Sequence, residues 1–128
     1  MKILDKILFA QDFASTSQNL ETVAMSLAKT FKSTIVPMHV LPEDIVNSKA
    51  KELLDKMAYE KLSATINKFK EAGINAENPI LKHGVAHDLI VTTASSVNAN
   101  LILVGSGEDK AKEKFKLGIT TERIIQFS

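Results

Sequence analysis

Leu101-Ile102-Leu103-Val104 runs directly into Gly105-Ser106-Gly107-Glu108, and a lysine-rich stretch later comes Gly118-Ile119-Thr120-Thr121-Glu122-Arg123. The four apolar residues read as a strand buried on both faces, because no polar residue interrupts them. The two glycines that follow let the backbone turn tightly and approach a ligand. Gly118 leads into a segment able to start a helix. Strand, glycine loop and helix N-terminus together are how α/β proteins cradle phosphate. Glu108 places a carboxylate in that loop, and Ile119 stands where a hydroxyl would serve.

Upstream, the same alternation of elements repeats. Ile7-Leu8-Phe9-Ala10 is a first strand, with Gln11-Asp12-Phe13-Ala14 as its turn. Ser15 and Gln18 match a capping box. Leu20, Val23, Ala24, Leu27, Ala28 and Phe31 then follow at helical spacing. Thr34 to Val40 is a second strand, in which Pro37 calls for a bulge or a partial edge because it removes a ladder donor. A long helix runs from about Asn47 to Ala72. Its apolar stripe, Ala50, Leu53, Leu54, Met57, Ala58, Leu62, Thr65, Ile66 and Phe69, is assigned to core packing, and Gly73 is its C-cap. Ala76 to Lys82 is a third strand, His87 to Val97 a third helix, and Asn98-Ala99-Asn100 a turn before the strand at Leu101. Thr120 to about Phe127 reads as a fourth helix.

This order predicts an α/β fold: a doubly wound parallel sheet sandwich, Rossmann-like, with helices on both faces. Ligands in such sheets bind at the C-terminal ends of the strands, where strand order reverses. Asp12 and Gly105 would then line one crevice. No fifth strand is read after Gln126-Phe127-Ser128. That leaves the fourth strand as an exposed edge or as a strand paired by another chain.

A length of 128 residues suits one domain spanning 1–128, and 45% hydrophobic with 24% charged residues is an average globular composition. The net charge of +1 argues against nucleic acid or an acidic membrane as a partner. Lys110, Lys112, Lys114 and Lys116 are read as a solvated loop. The chain has no cysteine, so neither disulfides nor thiolate chemistry is available. Neither a signal peptide nor a membrane span is read, and a cytoplasmic location is expected.

Taken together these residues resemble the universal stress protein family. Ile7 to Ser15 looks like its first strand and acidic turn, and His39-Val40 like the end of its second strand. His83-Gly84-Val85-Ala86-His87-Asp88-Leu89-Ile90 looks like its third strand, glycine and helix start. Leu101 to Gly105 looks like its fourth strand, and Gly118 to Ile124 like its final helix start. The resemblance covers nearly the whole chain in order. It implies the universal stress protein type of sandwich, here with the fifth strand missing. Nucleotide-binding members carry Gly-x2-Gly-x9-Gly-Ser/Thr. Gly105 and Gly118 match the outer glycines, while Glu108 and Ile119 depart from the pattern. Gly107 offers backbone freedom one residue early, and Thr120 offers a displaced hydroxyl. The resemblance places Asp12 and Val40 at the nucleoside, so the nucleoside half of the site is kept and the phosphate half is altered. In the family the fifth strand commonly forms the dimer contact. Its absence points to a truncated product or to one half of a tandem protein.

Each candidate also has a plainer reading. Asp12 can be a turn carboxylate favouring a helix N-terminus. Gly105, Gly107 and Gly118 can be ordinary turn glycines. Thr120 and Thr121 can be caps. His83 and His87, with Asp88, are not read as a metal site, and His39 is read as a partly buried strand residue. No nucleophile elbow, complete Walker loop or positioned base is present, so the chain is not read as an enzyme. Two functions stand. In the first, the protein is a stress-response regulator that binds an adenine nucleotide, ATP with magnesium, with reduced affinity. In the second, it binds no nucleotide and works through dimerisation or partner contacts, as a homodimer or with a tandem partner domain.

Overall fold

A computed structural model describes residues 4–11, 17–41, 48–105 and 124–127. In chain order they form β1 (Lys6–Ala10), α1 (Ser17–Phe31), β2 (Thr34–Leu41), α2 (Ser48–Glu71) and β3 (Asn75–Ala76). There follow β4 (Ile80–His83), α3 (Ala86–Val97), β5 (Leu101–Gly105) and β6 (Ile124–Phe127). Every described strand pairing is parallel. The sheet runs β3-β2-β1-β5-β6, and β4 continues beside β2 on the side of β3. This is the doubly wound, Rossmann-like α/β sandwich expected from the sequence.

Strand side chains alternate between two cores. Ile7 and Phe9 of β1 pack with Leu20, Ala24 and Ala28 of α1 and with Phe69 of α2. Leu8 and Ala10 pack on the other face with Ile90 and Ala94 of α3. The same division holds in β5, where Leu101 and Leu103 join the first core and Ile102 the second. All of these strand residues are buried, which is why the runs at Ile7 and Leu101 carry no polar residue. Each of the buried leucine, isoleucine and phenylalanine side chains contributes roughly 1.5–3 kcal/mol by leaving water.

The turn before β5 is held by Asn100. Its side-chain Oδ1 accepts from the backbone N–H of Asp5 and of Lys6, both at 2.9 Å, and its own N–H donates to the Lys6 carbonyl at 2.9 Å. Asn98 closes α3 in the left-handed conformation at φ 61, so the Asn98–Asn100 turn stands where the sequence puts it.

Three expectations are corrected. The chain does not lack its last strand. Ile124–Phe127, read as part of a helix, is β6, with Ile102 opposite Ile124 and Gly105 opposite Phe127. Two isoleucines and a phenylalanine favour a strand, and the open edge of β5 supplies the ladder that completes it. β5 is therefore an inner strand.

The third strand is not continuous either. Thr34 and Ile35 stand opposite Asn75 and Ala76, but Met38 to Leu41 stand opposite Ile80 to His83. Between these pairings the outer strand has three residues, Glu77, Asn78 and Pro79, against Val36 and Pro37 of β2. The extra residue is the bulge that Pro37 demanded. The carbonyls of Ile35 and Leu41 accept from the N–H groups of Glu77 and Gly84 on this outer side. Pro37 shares their alternation, so its missing N–H falls where the ladder breaks.

Third, the first half of the α2 stripe is not core. Ala58, Leu62, Thr65, Ile66 and Phe69 are buried, but Leu53, Leu54 and Met57 are 59%, 40% and 44% exposed. The 24 residues of α2 extend about 36 Å at 1.5 Å per residue, longer than the eight-residue strand beside them, about 26 Å. The helix is longer than the strand beside it, and the three exposed side chains lie in its N-terminal half.

Candidate functional site

Strand order reverses between β1 and β5: the chain moves from β1 outward through β2, then returns to the other side of β1. At such a switch point the loops leave in opposite directions and a crevice opens between them. A cavity of about 100 Å³ lies there, at the C-terminal ends of the strands. Ala10 and Gln11 form its base, and His39 and Val40 come from β2. Val104 of β5 and Ala86 and Ile90 of α3 complete the lining. Five of these side chains are aliphatic: Ala10, Val40, Ala86, Ile90 and Val104. A crevice of this size and lining suits a small, largely apolar group, with the rest of a larger ligand outside it.

The polar groups of the crevice are held in place. Gln11 donates its backbone N–H to the Met38 carbonyl at 2.9 Å. His39 donates Nδ1–H back to the Gln11 carbonyl at 2.5 Å. A carbonyl can only accept, so this bond places a proton on Nδ1. The Gln11 side chain points away from the crevice, into the first core, where it is buried. Its Nε2 donates to Glu21 Oε2 of α1 at 3.3 Å, and Thr65 Oγ1 of α2 lies 3.2 Å from its Oε1. α3 begins at the crevice with no side-chain cap on its first turn, and Asp88 sits in that turn. Its first N–H groups are unpaired within the helix, as at any helix start.

Of the sequence candidates, Val40 lines the crevice. Gly105 is the last residue of β5, directly after the lining residue Val104 and paired with β6. Asp12, Gly107, Gly118 and Thr120 lie outside the described residues, as do Ser15, Glu108, Ile119, Thr121 and the lysines of 110–116. The expected neighbourhood of the first and fourth apolar runs holds, since Ala10 of β1 is opposite Val104 of β5.

Sequence reasoning missed the parts of the site contributed by Gln11, Ala86 and Ile90. The last two belong to a helix whose face toward the strand ends is set only by packing. Gln11 did carry a signal: a polar residue continuing the alternation of Ile7 and Phe9 into the core.

His83 and His87 do not meet. His83 Nε2 pairs with Asp55 Oδ1 of α2 at 2.7 Å, while His87 is exposed on α3. Among the described residues no three potential metal-ligating side chains come together. Two larger hollows, of about 400 and 490 Å³, open at the opposite edge of the sheet, around Lys29, Lys32, Gly73 and Asn75. They lie at the N-terminal ends of the strands, on the wrong side for the switch point, and are broad surface depressions beside helix C-termini.

No described helix is long and apolar enough to cross a membrane. Solved structures share the fold over nearly the full chain. One is a hypothetical protein whose biochemical function was assigned from its structure, with TM-score 0.79, 19% identity, and coverage of 98% of this chain and 96% of that one. A universal stress protein from Archaeoglobus fulgidus in complex with dAMP has TM-score 0.68 and 19% identity, covering 98% and 99%. A universal stress protein in complex with cAMP has TM-score 0.61 and 16% identity, covering 80% and 72%. No curated protein matches the chain by sequence. The profile of the Universal stress protein family matches residues 4–128, from the start of the first strand to the end of the last, and the chain belongs to that family.

Proposed function

We propose that this protein is a stress-response regulator that binds an adenine nucleotide in the crevice at the ends of β1, β2 and β5. The observation that carries the reading is the apolar slot lined by Ala10, Val40, Ile90 and Val104 at the strand-order reversal. A flat base enters such a slot without leaving buried polar groups of the protein unpaired. Two family relatives, which hold dAMP and cAMP, add support. Val40 would meet the base and Asp12 the ribose. Gly105, Gly107, Gly118 and Thr120 would line the phosphates of ATP, with magnesium offsetting their charge.

Glu108 sets the expected affinity. A carboxylate in a phosphate loop repels a polyphosphate, and Ile119 withdraws a hydroxyl donor. The protein is therefore a binder with a sound nucleoside half and a weakened phosphate half. In this reading it is a binder and not an enzyme, because the sequence carries no nucleophile elbow and no complete Walker loop.

A second reading rests on the same two residues together with the uncovered Leu53, Leu54 and Met57 of α2. In it the domain binds no nucleotide and acts through a homodimer or a partner contact. Titration calorimetry with Mg-ATP and with adenosine separates the two. Binding of adenosine, with little gained from the triphosphate, fits the first reading. Absence of binding by either ligand to folded protein overturns it in favour of the second.

A further inference from the structure

Beneath the crevice lies a group of polar side chains in an otherwise apolar core. Gln11 and Thr65 are 6% and 4% exposed, and the Glu21 side chain is 12% exposed. Gln11 Nε2 donates to Glu21 Oε2, and Glu21 Oε1 is paired with Lys68 Nζ at 3.4 Å. Thr65 Oγ1 lies 3.2 Å from Gln11 Oε1, 3.2 Å from the Lys61 carbonyl and 3.5 Å from Glu21 Oε2, so one hydroxyl proton serves three acceptors. Leucine at position 11 and valine at position 65 would continue the surrounding core. Buried polar groups cost stability relative to such a core, and their gain is a defined geometry.

The geometry they define is that of the crevice. The same residue whose side chain is clamped by α1 and α2 uses both backbone groups to set the wall. Its N–H is on Met38 and its carbonyl holds the His39 ring. We infer that Gln11, clamped by Glu21 and Thr65, is a positioning residue: it fixes the exit of β1 and the orientation of His39, and so sets the affinity of the crevice for the nucleoside part of a ligand. This rests on the nucleotide reading for its ligand, but its structural step does not.

The test uses Thr65→Val, Gln11→Met and Thr65→Ser in the intact chain. Two quantities are read: adenosine affinity, and the 15N signature of the His39 ring at mildly alkaline pH. Wild type should show a single tautomer with the proton on Nδ1. Thr65→Val and Gln11→Met should mix the tautomers and weaken adenosine about tenfold, the scale of one buried hydrogen bond. Both should stay folded with a lowered thermal midpoint, because each leaves a buried polar partner unsatisfied, and Thr65→Ser should keep both readings near wild type. Combining the two substitutions should add little, because they break one unit.

An unchanged His39 signature in both folded variants overturns the inference, whatever the ligand does. So does affinity that falls only in proportion to stability. If wild type binds neither adenosine nor Mg-ATP, the nucleotide reading fails alone, and the ring signature still decides whether Gln11 positions His39.

Discussion

Phe69 of α2 meets Phe9 of β1 edge to face, with ring centroids 5.5 Å apart and planes at 84°. Both rings are fully buried, and they join the central strand to the long helix. The positive edge of one ring lies toward the negative face of the other, which favours this arrangement over stacking. Phe69→Ala should cost about 3–5 kcal/mol through lost burial and the cavity left behind. Denaturant unfolding monitored by circular dichroism measures it.

The exposed half of α2 makes the opposite prediction. Leu53→Gln and Met57→Gln should change stability by no more than about 0.5 kcal/mol, the usual range for surface positions. Leu62→Ala, at a fully buried position on the same helix, should cost about 2–5 kcal/mol. Equal losses at all three positions would mean that the first turns of α2 are packed in solution.

Asn100 bonds two consecutive backbone N–H groups at the start of β1. Asn100→Ala removes the one acceptor that both N–H groups share and leaves the part-buried Lys6 N–H short of its partner. A loss of about 1–3 kcal/mol is expected. Faster amide exchange at Lys6, with the centre of the sheet unaffected, is its local signature.

Gly73 turns the chain out of α2 at φ +82, with nothing within 4 Å of where a Cβ would stand. Space is therefore no obstacle, and only the left-handed backbone resists a side chain. Gly73→Ala should cost about 1–2 kcal/mol from that conformation alone, and Gly73→Asn less, because asparagine tolerates it.

Glu108→Gly with Ile119→Ser restores the family pattern in the phosphate loop. The double variant should tighten Mg-ATP at least tenfold, about 1.4 kcal/mol, and leave adenosine unchanged. Titration calorimetry with both ligands checks it. An unchanged ATP affinity would clear these two residues of weakening the site.

Most of the fold was legible because burial writes itself into pattern. The unbroken apolar runs at Ile7 and Leu101 were legible as strands, although the second was expected at an edge of the sheet and lies inside it. Pro37 called for a bulge or a partial edge, and the outer strand carries one extra residue beside it. The family resemblance pointed to Val40, which lines the crevice, and Gly105 ends β5 one residue beyond the lining residue Val104. Gln11 was not read as part of the site: its backbone faces the crevice while its side chain enters the core, and a residue name does not separate the two.

The sequence by itself determined the alternation of strands and helices as far as β5, the parallel sheet and the end of it where a ligand would sit, since period and turn chemistry are local. Tertiary structure decided the rest. Ile124–Phe127 became a strand because β5 offered an open edge, a property of the sheet and not of those four residues. Leu53, Leu54 and Met57 are exposed in the structure, although their spacing is that of a core stripe. His83 took Asp55 as its partner and not His87, because β4 lies beside α2 while His87 turns outward on α3. Each of these depends on distances between segments far apart in the chain, and periodicity carries no information about them.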